Sequence, residues 1–427
     1  MQALPIPQKA PLGCRFGIST RKPHTLPHQR SGDAGLKILL VHTFFQQFGG
    51  QDSVVLSERE MLERRGHEVV FYSRRNDDIK EYGAADKVRF LTDTIYSRRT
   101  VRDLHVLVSG NRPDLAYVHN IYPLISPSLY HALHSMGIPV VQCVHDFRPL
   151  CSNGLFYTEG QSCERCKGGN YLHGVVHRCY RDSYFVSGLY ALTLGLNRFA
   201  NMLDKISAFI CLNEFHRTKF LEAGVPNSKL FVRPNSIDAM PVMLGPAPEA
   251  RQYAVYFGRL SPEKGLLTLL QAFERAAPAR LKIAGSGAME AELKQYIRDK
   301  KLDNVELVGF LEGAEKARLL SGALFAVIPS ECHENFPVVS LECFAAGKPI
   351  LASRMGGLPS IVSEGETGLL FTAGNAGEIA ERVRYMFSHP LDADRMGRRA
   401  REIVETKYSR ERSYQELLDI FQKVLVA

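Results

Sequence analysis

No stretch of this 427-residue chain reaches the ~20 apolar residues that crossing a bilayer requires. The nearest is FVSGLYALTLGL (185–196), ended by Asn197 and Arg198. It is too short to span, and a core helix is the favoured reading over a membrane-lying one. Residues 1–35 lack the apolar block of a secretory signal. They read as a disordered tail, and the expected location is the cytoplasm, at most peripheral to the inner face of the cytoplasmic membrane. Charge of one sign is also scarce: 53 Lys+Arg against 45 Asp+Glu leaves +8. That excess suits an anionic substrate or a membrane surface and does not point to nucleic acid. A complete G-x-G-x-x-G with an acidic residue about twenty positions on is missing, which ranks a dinucleotide-dependent dehydrogenase low.

What is present is a repeated alternation. KILLVH (37–42), HEVVFYS (67–73), LAYVH (115–119), IPVVQCVHD (138–146) and AFICLN are short apolar runs with helical spacings between them. A second series follows: YAVYFG (253–258), RLKIAG (280–285), NVELVG (304–309), ALFAVIPS (323–330) and KPILAS (348–353). Strands alternating with helices imply parallel sheets of βαβ units. The length suits two domains of roughly 200 residues. Residues 233–251 are rich in Pro, with one Gly, and read as the linker. The domains are therefore expected at 36–232 and 252–427, with a Cys-rich insert at 147–183. The last helix is a candidate to pack back on the first domain. Ligands of such sheets bind at the carboxyl ends of the strands, here in the cleft between the domains.

Three stretches carry chemistry. GRLSPEKG (258–265) follows a strand, and a helix beginning at Pro262–Glu263 would put Arg259 and Lys264 beside its N-terminus, a place for phosphate. AGSGAME (284–290) reads as a tight turn. SECHENFPVVSLECFAAG (330–347) sets Glu334 in a loop after a strand and Glu342 on a helix from Pro337 to Gly347. Carboxylates there can accept hydrogen bonds from sugar hydroxyls. Two further segments break the alternation. Arg74–Ser109 is basic and reads as loop-rich. The insert holds Cys151, Cys163, Cys166 and Cys179, with one C-x2-C arm. Four thiolates fit a structural zinc site, with His173 and His177 as substitutes.

With these residues in view, the chain resembles the retaining glycosyltransferases of family 4, which have the GT-B fold: two Rossmann-like, doubly wound α/β domains facing each other across a cleft. The resemblance rests on GG at 49–50, YVHN at 117–120, VHD at 144–146, PNSID at 234–238, GRLSPEKG, and the E-x7-E block around Glu334 and Glu342, and runs from about residue 37 to the end. It implies a nucleotide-diphosphate sugar donor, a glycan or lipid-linked acceptor, surface polysaccharide synthesis as the setting, and no metal for catalysis. It also implies roles. Arg259 and Lys264 bind the diphosphate. Glu334 lies at the donor sugar, and the backbone of Asn335, Phe336 and Pro337 contacts sugar hydroxyls. Glu342 holds the ribose. Gly49 and Gly50 form a loop over the phosphates, and His145 approaches the sugar from the other domain. The chain departs from the family's usual pattern at Asn335 and Ser236, where Gly is usual, and at Asp52, where Glu is common. A non-catalytic scaffold on the same fold is the alternative. The insert and the basic segment are expected to shape the acceptor site.

Overall fold

The computed structural model describes residues 35–46, 49–77, 83–238 and 250–426. Most of the expected tail and residues 239–249 of the expected linker lie outside them. Fourteen strands are described: β1 (Lys37–Phe44), β2 (Glu68–Arg75), β3 (Leu115–Val118), β4 (Val140–Val144), β5 (Tyr157–Thr158), β6 (Gln161–Ser162), β7 (Ala208–Cys211), β8 (Leu230–Val232), β9 (Tyr253–Phe257), β10 (Arg280–Ala284), β11 (Val305–Gly309), β12 (Phe325–Ile328), β13 (Ile350–Ser353) and β14 (Gly368–Phe371).

Twelve of them make two six-stranded sheets, ordered β2-β1-β3-β4-β7-β8 and β11-β10-β9-β12-β13-β14. Every pairing within both sheets is parallel. Strands such as LAYV and FAVI are buried on both faces, so they read as unbroken apolar runs and not as alternation. In each sheet the order reverses next to its first strand, β1 or β9, and that switch point is where doubly wound sheets open a crevice. One buried core runs across the two sheets, joining Leu40 and Tyr117 to Ala326, Phe336 and Phe421.

The last helix, Arg410–Val426, lies against helix Gly50–Arg64 of the first sheet's unit. Tyr414 Oη meets His67 Nε2 at 2.9 Å, and Phe421 packs edge-on to Tyr117. Arg233, which the sequence places in a Pro-rich linker, is buried beneath this helix.

Two expectations are corrected. The basic segment is not loop-rich. It forms helices Ala84–Ile95 and Arg98–Gly110, the second opened by Ser97, whose side chain accepts from Thr100 N–H. The apolar run at 185–196 lies in helix Tyr184–Phe199 but is not simply a core helix. Its inward face holds Ser187, Thr193 and Asn197 beside Tyr190 and Leu194, while Phe185, Leu192, Leu196 and Phe199 stand in solvent.

Candidate active site

The loop after β9 is held by glycines. A Cβ at Gly285 would collide with the Gly258 carbonyl, and one at Gly287 with the Leu260 backbone. The AGSG turn therefore lies directly on the GRL loop as a structural support. Pro262–Lys264 is a single 3-10 turn, not the start of the expected helix. Gly265, at φ 68°, breaks it, and helix Leu266–Arg275 begins after that. At Gly265 a Cβ would strike the Pro329 carbonyl at the end of β12. This close approach delivers Lys264 to the loop carrying Glu334.

Lys264 Nζ donates to Glu334 Oε1 at 2.5 Å, and Ser330 Oγ donates to the same oxygen at 2.6 Å. Burial opposes both charges, but each group offsets it for the other: Glu334 is held below the usual carboxylate range and Lys264 above the usual ammonium range. The pair is thus ionised. Arg259 is the accessible cation here, its side chain 62% exposed and 3.5 Å from Glu263.

The peptide after Glu334 is clasped from three directions. Gly357 N–H donates to the Glu334 carbonyl at 2.6 Å. Asn213 Nδ2 donates to the Asn335 carbonyl, and Asn235 Nδ2 to the Phe336 carbonyl at 3.1 Å. Asn335 Nδ2 in turn donates to the His145 carbonyl at 2.8 Å. The N–H groups of Asn335 and Phe336 meet no acceptor among the described residues. Pro337 caps helix Val338–Ala345. On it, Glu342 accepts from Lys316 Nζ at 2.6 Å, and Lys316 sits 5.5 Å over the Phe257 ring. Sequence reasoning missed Lys316, which comes from a separate helix, Gly313–Gly322, and carries no motif.

The first sheet's unit faces this loop. A Cβ at Gly50 would touch Val338 Cγ2 at 3.3 Å, so the Gly49–Gly50 turn abuts the start of the Glu342 helix. Asp52 ties the turn down, accepting from Gly49 N–H at 2.9 Å and meeting His42 Nε2 at 2.8 Å. His145 follows β4 and shares a 2.8 Å hydrogen bond with His119 Nδ1. Burial, then His42 and Arg233, pull the His145 pKa down to about 3. It is a neutral imidazole. A cavity beside it is lined by Gln51, Asn120, Tyr122, Asp146 and Arg148. Arg148 was also missed, and its side chain pairs with Asp146 at 3.3 Å.

The structure thus brings Gly49, Gly50, His145, Glu334, Asn335, Phe336, Pro337 and Lys264 together, with Arg259 at the rim and Glu342 one helical turn and a half beyond Pro337. Cys151, Cys163, Cys166 and Cys179 lie apart from them, around a small cavity they share with His173 and His177. Cys151 Sγ donates to Asn153 Oδ1 at 3.1 Å and Cys179 Sγ to Thr158 Oγ1 at 3.6 Å. Among the described residues, the potential metal ligands that do converge within 4.8 Å are His119, Cys143 and His145. The four insert thiols are not gathered that closely.

Residues 48–240 match the model of Glycosyltransferase Family 4, and residues 245–403 match that of Glycosyl transferases group 1. The chain belongs to the family 4, group 1 glycosyltransferases. It is 36% identical over 153 residues to a glycogen synthase of Mycobacterium tuberculosis, covering 35% of this chain and 37% of that one. It is 30% identical over 171 residues to a lipopolysaccharide 1,2-N-acetylglucosaminetransferase of Salmonella typhimurium, covering 35% and 45%. The matched stretches span less than half the length of either relative. Among solved structures, an Anabaena protein, HepE, in complex with UDP-glucose superposes with a TM-score of 0.61 at 18% identity, over 92% of this chain and 100% of that one. The fold of this glycosyltransferase is GT-B.

Proposed function

We propose that this glycosyltransferase moves a sugar, with retention of configuration, from a nucleoside diphosphate sugar to a glycan or lipid-linked acceptor in polysaccharide synthesis. The observation that carries the reading is the buried, ionised Lys264–Glu334 pair at the mouth of β12 with Arg259 exposed beside it. A chain that needed only stability would do as well with apolar residues there, since buried ion pairs seldom add net stability. Support for the donor class comes from the UDP-glucose bound to the fold neighbour, and for the acceptor class from the lipopolysaccharide relative.

In this reading Arg259 and Lys264 take the diphosphate. The bond between the anomeric carbon and the phosphate oxygen breaks, and its electron pair stays on that oxygen. The two cations stabilise the charge as it forms, which is the work a metal does elsewhere. Glu334 and the unpartnered N–H groups of Asn335 and Phe336 hold the sugar's hydroxyls. Glu342 accepts from the ribose. The acceptor hydroxyl attacks from the face the diphosphate leaves, and its proton passes to the leaving phosphate oxygen. His145, being neutral, offers a hydrogen bond to the sugar without adding a cation. The test is product configuration: incubation with UDP-, GDP- and ADP-sugars and an acceptor extract, read by proton NMR of the new linkage. An anomer matching the donor supports the reading, and inversion contradicts it.

We also propose that Cys151, Cys163, Cys166 and Cys179 hold a structural zinc ion. Their shared cavity supports this, provided Cys151 and Cys179 turn inward from the weak acceptors that hold them.

A further inference from the structure

Helix Tyr184–Phe199 carries large apolar residues on its outer face as well as on its buried one, where Tyr190, Ala191 and Leu194 pack. Its buried face contains Ser187, Thr193 and Asn197, and the polar atoms are satisfied within the protein: Thr193 Oγ1 donates to the Leu189 carbonyl at 2.8 Å and Asn197 Nδ2 to the Thr193 carbonyl at 2.6 Å. Its outer face carries Phe185 (65% exposed), Leu192 (52%), Leu196 (46%) and Phe199 (89%). Steps of seven, four and three residues keep these four on one stripe of a helix. The short helix Leu172–Val176 packs beside it and exposes Leu172 (70%) and Val176 (66%). A monomer seldom leaves so much contiguous large apolar surface in water without a use.

The charges around the stripe say what covers it. Between Arg178 and Lys205 there are four Lys and Arg residues, Arg178, Arg181, Arg198 and Lys205, against two acids, Asp182 and Asp204. Arg178, Arg181 and Arg198 are exposed, Arg178 with its Nε 3.4 Å from the likewise exposed Asp182, and the helix itself has no acidic residue. An apolar stripe flanked by arginines is the pattern of a helix lying in a lipid interface. No described helix is long and apolar enough to cross a membrane, which leaves lying flat as the available mode for these residues. The other side of the helix reaches the acceptor half of the candidate site: Tyr190 packs against Tyr122 with ring centroids 6.3 Å apart, and Tyr122 lines the cavity beside His145.

We infer that this face docks on an anionic lipid bilayer, with Phe185, Leu192, Leu196 and Phe199 at the boundary of headgroups and acyl chains and Arg178 and Arg181 on lipid phosphates. The cavity at His145 is then held close to the membrane surface, where a lipid-linked acceptor would be presented. That last point rests on the proposed function, whereas the docking itself does not.

The test is co-flotation of the purified full chain with vesicles of phosphatidylcholine alone or mixed with phosphatidylglycerol, without donor or acceptor. Binding to the anionic vesicles is expected. Leu192→Gln combined with Leu196→Gln should lower the partition coefficient at least about tenfold, because two leucyl side chains no longer leave water. Arg178→Gln with Arg181→Gln should lower binding to the anionic vesicles and make what remains less sensitive to salt. Circular dichroism and nucleotide calorimetry on the same samples show whether each variant is folded with an intact donor site. No flotation of the folded wild type, or equal flotation of the leucine variant, overturns the inference. A dimer in light scattering that the leucine variant abolishes also overturns it, because a second copy would then be the occupant. None of these failures bears on sugar transfer, which is read from product configuration.

Discussion

Replacing Arg233 with Met should destabilise the protein severely. Arg233 is 1% exposed and donates to Glu58 Oε1 at 2.6 Å, to the Ser413 carbonyl at 2.9 Å and to Ser413 Oγ at 2.7 Å. Glu58 is itself buried and accepts from Tyr117 Oη at 2.7 Å. The substitution leaves Glu58 charged with its cation gone, and removes both bonds from Arg233 to Ser413 of the last helix. Removing one partner of a buried ion pair costs about 3–5 kcal/mol. For a unit of roughly 200 residues, 1 kcal/mol moves the melting midpoint by about 2–4 °C, so a drop of roughly 6–20 °C is expected. The chain has no tryptophan, so the melt is followed by far-UV circular dichroism. Adding Glu58→Leu to Arg233→Met should recover part of the loss, because the orphaned charge is removed. A midpoint within about 2 °C of wild type for the single variant would refute the reasoning, as would a double variant less stable than the single one.

Other consequences can be checked in parallel. Glu342→Ala should weaken nucleotide binding, and Lys316→Met should weaken it less, since Lys316 touches Glu342 and holds its carboxylate; calorimetry that finds both unchanged would remove Glu342 from the ribose site. Stability should fall as pH drops below about 6.5. Burial, with neighbouring cationic and imidazole groups, depresses His145 and His216 to about 3 and takes His119 well below its ordinary value. The unfolded chain then binds more protons than the folded one between those limits, so stability is complete above pH 6.5 and lost on acidification. The loss is about 2 kcal/mol for each of His145 and His216 by pH 5, and a flat chemical-denaturation midpoint from pH 7.5 to 5 would contradict it. Purified protein should carry about one equivalent of zinc per chain by elemental analysis, reduced by Cys163→Ser with Cys166→Ser. Metal-free protein with an unchanged melting profile after zinc addition would dispose of the insert site.

The parallel sheets were legible because strands buried on both faces leave unbroken apolar runs, and the helix after Pro337 because Pro and Gly347 mark its ends. Less legible features depend on contacts distant in sequence. The turn at Pro262–Lys264 is not helical because Gly265 must pass the end of β12, which a local pattern does not reveal. The helix at 98–110 was hidden by the cations clustered at its start, Arg98, Arg99 and Arg102. Arg233 looked like linker because its neighbours are prolines, yet its partners lie 175 and 180 positions away. Lys316 has no motif at all. The helix at 184–199 shows the limit most clearly: its apolar content identifies a helix but not which face meets the protein, and here Ser187, Thr193 and Asn197 turn inward with Tyr190 and Leu194 while four large apolar residues face out.

The central claim is that Lys264 and Arg259 form a diphosphate site. It is tested most directly by calorimetric titration of UDP, GDP and ADP into the wild type and Lys264→Ala, each checked for folding by circular dichroism. One nucleotide should bind the wild type, and the lysine variant should lose that binding while staying folded. Equal nucleotide affinity in a folded Lys264→Ala protein, or no affinity for any of the three in the wild type, would contradict it.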